Sequence, residues 1–299
     1  MNIGKGILIG FFLMIFNMVS YAQNSTFLQK VEGLNNPTSA NKIKVYYSSD
    51  YEKRALELRE MIEDALQYYE EKFDIKPEIN LAVLNAEQWR QVGLHVPYGV
   101  PNVQGAPYVI FLPATTDNAT TQATLSLKPK TSAATLKLIK ASGFTFEEGA
   151  IKSVDLLGLH ELGHILTRTY GINPANKWLN EFLATYFAYA YLKKRQPNLT
   201  RLWEAMSHSY LDGIAPKYTA LADFEKLYFG VGLENYGWYQ AESLLKGAQS
   251  YKKGKLKFLK EMKTSFPQTE KEPISLETAI ERIEKISPGF TVWSQDLKR

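Results

Sequence analysis

The chain of 299 residues has no cysteine, so a disulfide framework and thiolate metal ligands are excluded. Histidine is scarce, with four in all. Charge of one sign is lacking too. Lys and Arg number 35 against 31 Asp and Glu, and a net charge of +4 by itself points to no nucleic-acid partner. The late basic stretch from Lys246 to Lys263 is expected to be a solvated helix face. Internal repeats are missing. Long apolar runs are missing as well: Gly6–Val19 is shorter than the ~20 residues that a membrane-spanning helix needs. Lys5 precedes that run and Ser20-Tyr21-Ala22 follows it, which is a secretory signal pattern. Cleavage after Ala22 would leave Gln23 first and place the mature chain outside the cytoplasm, secreted or periplasmic, with no remaining membrane span. The competing expectation is an uncleaved N-terminal anchor. A lipoprotein anchor would need the absent cysteine.

What is present suits a packed core: 45% of residues are hydrophobic and 22% charged. After the signal, residues 23–41 are polar and are expected to be a flexible lead-in. Lys42–Tyr47, Ile79–Leu84 and Tyr108–Leu112 have strand character, and Asp50–Lys72 and Glu87–Gln91 have helix character. Gly93–Pro107 is rich in glycine and proline. The Thr/Ala/Ser-rich stretch 115–135 is expected to be a surface insertion, a flap-like segment, followed by a short helix over Ala133–Lys140. From Ser153 onward the pattern is helical. The expected architecture is α+β, with a mixed α/β subdomain over 42–152 and a helical subdomain over 153–299.

The chemistry concentrates in LGLHELGHIL, residues 157–166. Residues four apart share a helix face, so His160 and His164 can address one centre. Neutral imidazoles suit zinc. Glu161 lies one step round the helix, where it can accept a proton from a metal-bound water. Two histidines alone could be ordinary helix residues, so a third ligand matters. The first helix should stop at Gly171, and Asn176 can cap a second one starting at Lys177. From His164 to Thr169 the chain climbs about 7.5 Å, and from Lys177 to Glu181 it returns about 6 Å. An antiparallel hairpin thus brings Glu181 level with His164. Glu181, Ala184, Thr185 and Ala188 share one face, and small residues there permit close approach. The apolar, aromatic setting WLNEFLATYFAYAYL disfavours a solvated carboxylate. His95 and His208 have no partner at ligand spacing and are expected to be structural or surface residues.

HELGH at 160–164 followed by WLNEFLATY at 178–186 resembles the gluzincin zinc metallopeptidases, in particular their small bacterial peptidase MA-like members. The resemblance covers about Lys42–Leu192. It implies a zincin-like fold in which His160, His164 and Glu181 hold one zinc per chain and Glu161 serves as general base. Asn180, Glu181 and Ala184 match the family's N-E-x-x-A motif. Sixteen residues, 165–180, separate the second histidine from the glutamate. The resemblance further implies that the strand at Tyr108–Pro113 forms the edge of the cleft, where an extended substrate can add. Asn235–Leu245 resembles the region carrying the family's oxyanion tyrosine, with Tyr236 and Tyr239 both open for that role. Matching Gln240-Ala241 to the family's polar-small pair would instead put Trp238 there. Thr185 stands where thermolysin-like enzymes carry an aspartate four residues after the ligand glutamate. No G-x-M-E-N pattern is present, which favours an endopeptidase over an aminopeptidase. The expected function is a secreted zinc-dependent peptidase acting on peptide or protein substrates. The alternative is a zinc-holding extracellular binding module without turnover. Oligomeric state is left open.

Overall fold

A computed structural model describes residues 27–34, 43–174, 176–270, 272 and 274–297. The expected signal segment 1–22 lies outside the described residues, as does most of the lead-in. Residues 27–34 are helical (α1), so this part of the lead-in is not loop. The reason is an apolar stripe: Val31 is fully buried, and Phe27, Leu28 and Leu34 pack around it.

The chain is α+β and divides into two compact units. The first comprises Met1–Glu63 with Glu78–Thr115, the second Asp64–Pro77 with Thr116–Arg299. The division therefore falls after Thr115 rather than after residue 152, because the segment expected to be an insertion packs with the helices that follow it.

The first unit is built on β1 (Lys44–Tyr47), β2 (Ile79–Leu84), β3 (Asn102–Gln104) and β4 (Tyr108–Pro113), with α3 (Ala86–Val92) after β2. The sheet order is β1-β2-β4-β3. β1, β2 and β4 run parallel, and β3 returns antiparallel to β4. All six residues of β2 are buried, as a parallel strand covered on both faces requires. The Tyr108–Pro113 strand is thus internal and not an edge. The edges are β1 and β3, the latter hidden in the Gly/Pro-rich stretch and turned onto β4 through Gly105 at φ 77°.

The second unit is helical. Its elements are the C-terminal part of α2 (Glu52–Phe73), α4 (Ala119–Leu125), a 3₁₀ turn at Lys128–Lys130, α5 (Ala133–Ala141), α6 (Phe146–Tyr170), α7 (Lys177–Arg195) and α8 (Pro197–Gly213). After these come α9 (Leu221–Leu227), a 3₁₀ turn at Tyr228–Val231, α10 (Leu233–Ser265), α11 (Leu276–Ile286) and α12 (Phe290–Asp296). α10 is broken at Lys255, where φ is 44°. The stretch 115–135 is not a flap. Thr121, Thr124 and Leu127 are buried, and Thr124 Oγ1 lies 2.8 Å from the Tyr210 hydroxyl. The Thr124 and Thr131 hydroxyls are bonded inside the fold, the latter to the Leu127 carbonyl, so a polar composition here does not make a solvent-exposed loop. Most lysines of Lys246–Lys263 are exposed as expected, but Lys246 is buried with its ammonium 4.4 Å from the Phe290 ring centre.

α6 starts at a capping box in which Thr145 and Glu148 satisfy each other's backbone N–H groups. It stops at Gly171, whose φ of 88° turns the Ile172 N–H back onto the Thr167 carbonyl at 3.1 Å. α7 does start at Lys177, but the Asn176 side chain does not cap it. Glu225 of α9 does so instead, its Oε1 accepting from the Trp178 N–H at 2.7 Å. α7 is the core of this unit, with Phe182, Tyr186, Phe187, Tyr189 and Tyr191 all essentially inaccessible. No helix among the described residues is long and apolar enough to cross a membrane.

Candidate metal centre

α6 and α7 pack so closely that no side chain fits between them at Gly163. A Cβ there would sit 2.2 Å from the Ala184 carbonyl oxygen. This contact brings the donor groups of the two helices together. His160 and His164, one turn apart on α6, place their rings 4.7 Å apart and nearly perpendicular. Glu181 on α7 meets both: Oε2 lies 3.1 Å from His160 Nε2, and Oε1 lies 3.6 Å from His164 Nε2. Two donors of a tetrahedral zinc, each at about 2.0–2.1 Å, stand about 3.3 Å apart. These spacings bracket that value. All three side chains are buried. The donor set, nitrogen and oxygen atoms without sulfur, therefore fits a metal ion.

A second carboxylate is close by. His160, Glu161 and His164 can each place one ligand atom within 4.8 Å of the others. Glu181 is the better third ligand. It contacts both imidazoles and is 2% exposed, whereas Glu161 is partly exposed.

The electrostatics pull the two histidines in opposite directions. Burial lowers the His160 pKa below 6.5 and favours the neutral ring that a metal needs. Burial would also lower His164, but the Glu181 carboxylate outweighs it and holds His164 above 6.5. Burial would raise Glu181, yet the two histidines keep it well below 4.5, so it stays ionised.

Around this trio runs a shell that orients it. His160 Nδ1 lies 3.0 Å from Thr185 Oγ1, and the Thr185 hydroxyl donates to Gln240 Oε1 at 3.4 Å. The Gln240 amide donates to Glu181 Oε2 at 2.9 Å, closing a ring of contacts. Thr185 therefore holds the His160 imidazole. The Asn180 amide lies 3.2 Å from His164 Nδ1. With its own proton given to Gln240, the Thr185 oxygen accepts from His160 Nδ1, and this fixes Nε2 as the His160 nitrogen that faces an ion.

Of the two candidate tyrosines, one is at the centre. Tyr236 donates to Glu181 Oε2 at 2.8 Å from the first turn of α10, four residues before Gln240 on the same face. Tyr239 points its hydroxyl to the Ala220 carbonyl at 2.8 Å and is not brought to the cluster. Trp238 is buried. His95 is exposed and His208 half-buried, and neither joins the centre. One participant escaped sequence reasoning: Tyr228, whose hydroxyl donates to Glu181 Oε1 at 2.6 Å. Nothing in its spacing marks it, since it follows α9 on an irregular turn.

Comparison of the chain with protein-family models, with curated proteins and with solved structures finds no match. The functional reading accordingly stands on the geometry above and on the motifs that produce it.

Proposed function

We propose that the protein is a zinc-dependent metallopeptidase of gluzincin type with a zincin-like fold, exported through its N-terminal signal and acting on peptide bonds as an endopeptidase. The observation that carries this reading is the Glu181 carboxylate on α7 reaching both histidines of HELGH on α6. His160, His164 and Glu181 hold the ion, one per chain. When bound, zinc supplies a Lewis acid that polarises a carbonyl and brings the pKa of water down to about 7. Glu161, beside the histidines and partly exposed, takes the proton from the attacking water and delivers it to the leaving amine. Tyr236 serves as a hydrogen-bond donor to the developing oxyanion, turning its hydroxyl from Glu181 Oε2 while the Gln240 amide keeps that oxygen anchored. Burial and the Glu181 charge keep its pKa well above 10, so the donor proton is retained at neutral pH.

The test has two parts. Protein purified without chelator should carry about one zinc, and His164→Ala should not. Glu161→Gln preserves size and ligands but removes basicity. It should keep the metal and the melting temperature while peptide hydrolysis falls by about 10²–10⁴-fold. Zinc binding without cleavage of any peptide in a broad library would sink the peptidase and favour the binding module. Undiminished cleavage by Glu161→Gln would sink the role given to that residue.

A further inference from the structure

Tyr228 stands where a tyrosine is unfavourable. Its backbone has φ 51° and ψ −116°, a region suited to glycine and seldom adopted by bulky residues. Such a conformation persists only where surrounding contacts impose it. Here the ring packs edge-on against Phe224 and Tyr236, with centroids 5.5 and 6.0 Å away. The hydroxyl ends 2.6 Å from Glu181 Oε1.

The two oxygens of Glu181 are held from different elements. Oε2 receives the Tyr236 hydroxyl and the Gln240 amide, both from α10. Oε1 receives Tyr228 from the turn before that helix. A carboxylate anchored through one oxygen can still swivel about that anchor. Anchored through both, it has one orientation. We propose that Tyr228 is a positioning residue for the metal ligand Glu181, pinning its second oxygen so that the carboxylate faces the two histidines before any ion arrives. This inference rests on the reading of Glu181 as a zinc ligand. It assigns the strained turn a role that ring packing alone would not require, because a phenylalanine would pack equally well.

The experiment measures zinc affinity of the full mature chain by competition with a chromophoric chelator, alongside the melting temperature of the metal-free form. Tyr228→Phe keeps the ring and deletes the hydroxyl. It should melt near the wild type and bind zinc about 10–100-fold more weakly, the range typical of lost outer-shell partners. Tyr228→Gly relieves the backbone and also lacks the hydroxyl, so it should show at least the same loss. It carries the test should the phenylalanine variant fail to fold. Tyr186→Phe, whose wild-type hydroxyl donates to the Lys255 carbonyl at 2.7 Å, should bind zinc as the wild type does. Wild-type affinity in Tyr228→Phe, or in Tyr228→Gly if only that variant folds, overturns the inference while leaving the zinc site standing. An equal loss in Tyr186→Phe also overturns it, since the effect would then not be specific to the site. A wild-type protein that binds no zinc overturns both this inference and the metal reading.

Discussion

Strand β2 of the first unit and the α6–α7 hairpin of the second both bury most of their side chains, yet they bury different things. β2 is INLAVL, and its one polar side chain, Asn80, donates to the Tyr108 carbonyl at 3.2 Å. The hairpin buries Asp155, His160, His164, Glu181 and Thr185 within two helices. Placing charged or polar groups in an apolar interior is costly unless they pair. In the sheet that cost is avoided by composition. In the hairpin it is met by mutual contacts: imidazole to carboxylate, hydroxyl to imidazole, phenol to carboxylate. Burial by itself therefore does not mark a functional centre. Buried ionisable groups that converge on one another are the sharper signal.

Three substitutions would sharpen or break this contrast. The largest stability loss belongs to the sheet. Leu81 is fully buried, and Leu81→Ala should cost about 2–5 kcal/mol in chemical denaturation. It should leave zinc affinity at 25 °C unchanged, because no donor lies in that unit; a parallel drop in affinity would show that the two cores are not separable in function. Gly163→Ala strikes the hairpin. Its methyl would collide with backbone rather than with a flexible side chain, and overpacking of that kind typically costs about 1–3 kcal/mol. Here zinc affinity should fall with stability, since the helix spacing sets the donor spacing. Stability lost at full affinity would separate the two. Thr185→Val should have the smallest effect. It keeps the volume and removes the contact to His160 Nδ1, so zinc affinity should weaken by about 10-fold with only a slight change in melting temperature.

Much of the hairpin was legible before any coordinates. Four-residue spacing put both histidines on one face, Gly171 ended the first helix, and counting helical rise placed Glu181 beside His164. These are local rules with fixed geometry. What stayed hidden depends on long-range packing. Tyr228 reaches Glu181 through an irregular turn with positive φ, which no periodicity announces. The ring of contacts through Thr185 and Gln240 joins residues 55 positions apart. Between Tyr236 and Tyr239, the choice depends on the rotation of α10, and the sequence left both open. The edge of the sheet was misplaced because β3, three residues long, carries too little pattern to stand out within a Gly/Pro-rich loop. The threonine-rich stretch 115–135 misled for the opposite reason. Its composition suggests solvent, whereas Thr121, Thr124 and Leu127 are buried and the Thr124 hydroxyl is bonded within the fold.

The cap that Glu225 places on α7 has a dynamic consequence. First-turn amides of a helix ordinarily lack partners and fray, exchanging their hydrogens quickly with water. Glu181 stands only one turn inside α7, within reach of that fraying. With the Trp178 amide bound to the Glu225 carboxylate, and with the Lys177 ammonium donating to the Glu225 carbonyl at 2.9 Å, that turn is tied to α9. α9 leads directly into Tyr228. The start of α7 and the residue that pins Glu181 are thus fastened to the same short helix, and the third donor should breathe as slowly as the middle of the bundle rather than as fast as a helix end.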